Sequence, residues 1–197
     1  MAVASLACAS TSFAGDDGWY VMGAIGETTS NHGKSIRDNT LASIGRTGFS
    51  SSFNKPAVYN LDVGYQVNKN FAVEGGYIGS NSATYSASGG NLARPVNAST
   101  KISGWTVAAV GILPLTDQFS LLGKWGLAGI KESATVTGLG VPTSTNGTIT
   151  DVTYGIGAKY DFTHAVFGRL DIDSYKIGNA ASSNRGFVWM VGVGYRL

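Results

Sequence analysis

The chain offers few residues to chemistry: two histidines, one cysteine and a thin set of charges. His32 falls in a polar stretch near Ser30 and Ser35, the only nucleus for an imidazole-activated hydroxyl, and no third orienting group accompanies it. His164 falls in a short turn that the strand pattern below puts at the opposite end of the fold. The two histidines therefore cannot share a metal or the ~3 Å reach of acid–base catalysis. Asp171 and Asp173 flank Ile172 and project the same way along a strand. Ca²⁺ would need about six oxygens there, so pairing with lysine or arginine is the expected use. No glycine loop precedes a helix to cradle phosphate. The expectation is a protein without enzymatic activity, cofactor, metal or nucleic-acid partner.

The remaining candidates are charges, and their meaning depends on the elements that carry them. Residues 57–67 alternate Ala57, Tyr59, Leu61, Val63, Tyr65, Val67 against Val58, Asn60, Asp62, Gly64, Gln66. Residues 151–160 and 187–197 repeat the pattern, with Tyr154, Tyr160, Trp189 and Tyr195 on the apolar face and Lys159 and Arg196 on the other. Strict period two over ten or more residues is a long strand between two unlike environments. Eight such strands are expected, at about 18–29, 57–67, 71–81, 101–113, 119–131, 150–160, 165–176 and 186–197. Short turns alternate with long polar connections at 30–56, 82–100, 132–149 and 177–185. That order describes an antiparallel up-and-down meander with its long loops at one end, and Ser, Thr, Asn and Gly in those loops suggest segments that need no core.

Composition agrees. Charged residues are 13% of the 197, about half the share usual for a soluble domain. No stretch approaches the ~18 apolar residues of a membrane-spanning helix, which leaves strand-built membrane proteins open. Residues 1–14, MAVASLACASTSFA, are small, apolar and uncharged, and are expected to be a partial export signal cleaved after Ala14, with the barrel domain at 15–197. Cys8 has no cysteine to pair with.

A soluble eight-stranded barrel would turn its apolar face inward. Three features favour the inverse. The bulky face carries Tyr, Trp and Val while the other is glycine-rich, which suits a narrow interior. The aromatics sort into two levels: Tyr65, Tyr160 and Tyr195 near the short turns, and Tyr59, Tyr77, Trp105 and Tyr154 near the long loops, as girdles at two membrane–water interfaces. The inner face carries Asp62, Glu74, Asp171 and Asp173 against Lys124, Lys159, Arg169 and Arg196, a balanced set expected to pair in a dry lumen. Glu74, Lys124 and Arg169 fall mid-strand and are expected at its centre. The long-loop end is basic, through residues such as Lys34, Arg37, Lys101 and Lys131, and would suit lipopolysaccharide phosphates. Asp16, Asp17, Asp117 and Asp161 mark the short-turn end.

The phrases "GWYVMGAIGE" (18–27), "LDVGYQVNKNFAVEGGYIG" (61–79), "GWTVAAVGILPLTDQFSLLGKWGLAGIK" (104–131), "YGIGAKYDF" (154–162) and "VGVGYRL" (191–197) resemble the OmpA-like transmembrane β-barrel family. The resemblance implies a bacterial outer-membrane location and a buried ionic cluster around Glu74, Lys124 and Arg169. It also implies a terminal strand read by the barrel-assembly machinery, with Gly192, Tyr195 and Leu197 at the matching positions and Leu197 in place of the usual phenylalanine. The expected role is a non-enzymatic barrel that anchors long surface loops for envelope structure or adhesion, with lipids, lipopolysaccharide and a host or surface ligand as partners. The alternative is a small pore for ions or solutes.

Overall fold

The computed structural model describes residues 17–29, 32–138, 143–176 and 185–197. The expected export signal at 1–14 lies outside the described residues. The elements are β1 (Gly18–Thr28), α1 (His32–Ser43), β2 (Ser50–Asn54), β3 (Ala57–Asn68), β4 (Phe71–Ser80), β5 (Ala83–Ser88), β6 (Val96–Pro114), β7 (Phe119–Thr137), β8 (Thr143–Asp161), β9 (Val166–Lys176) and β10 (Arg185–Arg196).

Eight of the strands close a barrel in the order β1-β3-β4-β6-β7-β8-β9-β10, with β1 hydrogen-bonded to both β3 and β10. Every ladder is antiparallel, so the backbone pairs around the whole circumference and leaves no edge at membrane depth. The apolar face points out. Val63, Val107, Ile156, Val191 and Val193 are exposed, while the alternating Asn60, Asp62, Val188 and Met190 are buried. Trp19 against Tyr65 (5.1 Å) and Tyr160 against Phe162 (5.3 Å) lie on the outer wall near the short turns. Tyr59 and Tyr77 (6.5 Å) and Trp105 lie on it toward the loop end.

The interior is less glycine-filled than the alternation suggests. Tyr20, Met22, Ile78, Val110, Ile112, Leu122, Phe167, Val188 and Met190 pack inside as apolar layers. Glycines are their counterparts: a Cβ on Gly64 would stand 2.1 Å from the Tyr20 ring, and one on Gly194 2.1 Å from the Phe167 ring.

The long connections differ from the expectation of coreless loops. β6, β7 and β8 run well past the expected ends at 101, 131 and 150, so the connection at 132–149 is largely a continued hairpin. The connections at 30–56 and 82–100 contain α1, β2 and β5, with β5 paired to the upper half of β6 and β2 to β5. Their sparse apolar residues converge: Leu41, Tyr85, Ala87, Val96 and Ala98 are buried together, with Phe49, Phe53, Leu92 and Val136 packed against them. Each segment alone is too polar to read as core, and tertiary assembly supplies the missing neighbours.

Candidate functional site: an ionic layer beneath a folded cap

Strand register builds the layer in the lumen. Asp62 lies opposite Gly76, Asp171 opposite Gly157 and Asp173 opposite Gly155. A Cβ on those glycines would stand 1.9, 2.4 and 2.0 Å from the three Oδ1 atoms, so each carboxylate occupies space that only glycine leaves. Arg169 donates through Nε to Asp171 (2.7 Å) and through Nη1 and Nη2 to Glu74, the second bond being 3.1 Å. The Tyr20 hydroxyl donates to the same Glu74 (2.5 Å). Lys124, opposite Gly155, reaches across it to Asp173 (2.8 Å) and stands 3.8 Å from Asp171. Asn60 donates to Asp62 (2.7 Å).

The structure thus brings Asp62, Glu74, Lys124, Arg169 and Asp171 together with Asp173. It does not bring Lys159 and Arg196 to them. Those two bond Asp161 near the short turns, at 3.3 and 2.5 Å, and both lie over the Phe167 ring. Asp161 therefore belongs to the lumen rather than to the outer surface of the turn end. The expected balance of four acids against four bases does not hold at the centre, where four carboxylates meet two cations. Hydroxyl and amide donors from Tyr20, Asn60 and Tyr175 add to these cations, while the Oδ1 atoms of Asp171 and Asp173 are buried with no donor among the described residues. Tyr20 and Tyr175 sit on strands with weak alternation, so their inward direction was not readable from sequence.

The layer is closed. Arg169 and Glu74 are each 4% exposed. The spaces on either side, one lined by Asn60, Asp62, Lys124 and Asp173 and one by Tyr20, Lys159, Phe167 and Arg169, are about 20 Å³ each. A space of that size holds about one water. A vestibule of about 1190 Å³ opens at the short-turn end, bordered by Lys69, Asp117, His164 and Arg196.

At the other end the cap is tied to the wall. Arg37 on α1 donates to Thr100 on β6 (2.6 Å) and lies over the rings of Phe53 and Tyr85, at 5.6 and 5.7 Å. The Tyr85 hydroxyl donates to Asp38 (2.6 Å), which also pairs with Lys34 (2.9 Å). Burial and the neighbouring Asp38 carboxylate push the Tyr85 phenol up to about 12. Burial opposes ionisation of Asp38, but the Tyr85 and Lys34 bonds outweigh it and hold this carboxyl below its usual range.

His32 begins α1 at the cap end and His164 lies in the turn after β8, so the fold separates them by the length of the barrel. Among the described residues no three His, Cys, Asp or Glu side chains are grouped to hold a metal. Gly192 and Tyr195 sit on β10 opposite Ala24 and Val21, and the Leu197 amide closes the strand on the Trp19 carbonyl (2.9 Å).

Residues 1–196 match the family described as outer membrane protein beta-barrel domain. No curated protein matched the chain by sequence. Among solved structures it is similar to Ail, the attachment invasion locus protein of Yersinia pestis (17% identity, 93% of this chain and 99% of that one, TM-score 0.53). It is also similar to the N-terminal β-barrel domain of Pseudomonas aeruginosa OprF (14%, 92% and 99%, 0.53) and to OprG from the same organism (13%, 93% and 98%, 0.56). At these identities the likeness is one of fold. The family match and the closed, inside-out barrel agree: this chain belongs to the outer membrane protein β-barrel family, as an eight-stranded barrel of the bacterial outer membrane.

Proposed function

We propose that this protein is a non-enzymatic anchor that presents a folded cap at the cell surface for attachment or envelope contact. The observation that carries this reading is the cap. α1, β2, β5 and the extensions of β6 and β7 share an apolar core of their own, which a barrel needs only if the surface it displays must keep its shape. The attachment role in the name of Ail belongs to that protein and enters here as the analogy that makes adhesion the first thing to measure. A host or surface ligand would bind the cap, and outer-membrane lipids and lipopolysaccharide would surround the wall. The barrel-assembly machinery would read Gly192, Tyr195 and Leu197, residues 1–14 would direct export, and the finer kinship is OmpA-like.

The test is retention of proteoliposomes on host-cell monolayers, with intact protein against a variant whose residues 32–54 are replaced by a short Gly/Ser linker. Retention that falls to the level of empty vesicles supports the reading. Equal retention removes the cap from the function.

A second reading, a small pore, rests on the excess of carboxylates in the lumen, which would favour cations if a water path opened. Single-channel recording separates the two. A silent wild-type protein supports the anchor. Reproducible steps that change in Lys124→Ala or Glu74→Ala support the pore.

A further inference from the structure

The loop end is rich in basic residues, but the fold uses most of them internally. Lys34 is paired with Asp38, Arg37 is fixed to Thr100, and Arg46 donates to the Asn91 carbonyl (3.1 Å). Lys176 and Arg185 share Asp151 at 2.9 and 3.1 Å. Among the described residues of the loop end, Lys55, Arg94, Lys101 and Lys131 are left with neither an ion pair nor a side-chain hydrogen bond. Two of these four are neighbours. On the β6–β7 ladder Lys101 lies opposite Ser133, and Ser103 opposite Lys131, so the lysines are diagonal partners on one face. That face is outward, since it carries Trp105 on the same strand, and Glu132 turns to the other side. Thr148 on β8 lies opposite Lys131 and adds a third hydroxyl beside the two serines.

Height decides what such a pair meets. Trp105 lies opposite Tyr77 and marks the upper end of the apolar wall. A Cβ on Gly129 would stand 2.4 Å from the Trp105 ring, so the indole lies flat over β7 just below Lys131. Lys131 is two residues above Trp105 in register and Lys101 four above. At roughly 3.4 Å per residue on a strand tilted about 45°, they stand roughly 5 and 10 Å above the aromatic level. This is the headgroup layer, and two ammonium groups with no carboxylate between them would repel unless an anion bridges them.

We infer that Lys101 and Lys131, with Ser103, Ser133 and Thr148, form a binding site on the outer wall for the phosphate of a membrane glycolipid. The inference rests on the loop end facing the cell exterior, which protease shaving of intact cells checks independently. The probe is monophosphoryl lipid A, titrated into detergent-folded protein and counted by native mass spectrometry. Each ammonium near a charged membrane surface contributes about a fivefold gain in affinity, so Lys101→Ala/Lys131→Ala should bind roughly thirtyfold more weakly. Lys55→Ala/Arg94→Ala should bind as the wild type does. Equal loss in both double variants would reduce the site to diffuse rim charge and overturn it. Displacement of the lipid by inorganic phosphate at equal concentration would show that no membrane lipid is selected, and would also overturn it. Folding of each variant is verified by the heat-dependent gel shift of a closed barrel.

Discussion

Arg169 and Glu74 meet across the lumen through both terminal nitrogens of the guanidinium, though 95 residues separate them in the chain. Their strands, β9 and β4, are not neighbours in the sheet. The pair is therefore a tie across the barrel rather than along it, and Tyr20 completes the acceptor set of Glu74.

Removing one partner strands a buried charge. Glu74→Ala or Arg169→Ala should cost about 3–5 kcal/mol of folding stability. Glu74→Leu/Arg169→Met, which removes both charges and keeps volume, should recover part of that loss, because Asp171 still loses its Arg169 donor. Urea titration of protein refolded in lipid vesicles measures it. A double variant no more stable than the singles would mean that the pair does not act as a unit.

The lipid face makes a separate prediction. Val63 and Val191 lie outward and exposed mid-wall on β3 and β10. Val63→Arg or Val191→Arg should lower stability in bilayers by about 2–4 kcal/mol near the midplane. The same change in detergent micelles, which deform around a charge, should cost less. Absence of any penalty in lipid would reverse the assigned orientation.

Gly155 separates Lys124 from Asp173 in register. Gly155→Ala would place a methyl carbon 2.0 Å from the Asp173 carboxylate oxygen, so the carboxylate must leave its place opposite Lys124. Loss of a buried charge-assisted bond of this kind costs about 1.5–3 kcal/mol. Gly123→Ala on β7, where an added Cβ meets nothing within 4 Å, is the matched control. Similar midpoints for the two variants would show that the layer tolerates rearrangement.

The cap should respond to pH through Asp38 and Tyr85. The Asp38 carboxyl is lowered on folding, so its contribution is present above its unfolded value near 4 and is lost as pH falls through the lower folded value. The Tyr85 phenol is raised, so its contribution is present below its unfolded value near 10 and is lost as pH rises through about 12. Protection of the β2 and β5 amides from exchange should therefore fall below about pH 4 and above about pH 10, with the protection of the barrel strands unchanged. Tyr85→Phe should abolish the alkaline arm. An alkaline arm that survives that substitution would place the effect elsewhere.

The legible part of the ionic layer was its location. Period two assigns Asp62 inward on β3, and on β9, where alternation is weaker, the need of a charge for a partner away from lipid carries the same assignment for Arg169. Pairing was not legible, because it depends on strand stagger around the circumference. Lys159 is directly opposite Arg169 in register, yet it bonds Asp161, two residues further along its own strand. No local pattern distinguishes those choices.

The same division holds for the molecule as a whole. Alternation in β3, β8 and β10, with short and long connections in turn, was enough to determine eight strands, their up-and-down order and the outward apolar face, because a backbone in lipid admits few other solutions. The cap was decided only in three dimensions. His32–Ser43 carries so few apolar residues that its helix has little reason to form until Leu41 meets Tyr85, Val96 and Ala98 from strands distant in sequence. Which lysines stay free is decided the same way, since Asp38 and Asp151 must first be brought to the partners they neutralise. Period is a property of neighbours along the chain, whereas charge pairing and small cores belong to neighbours across it.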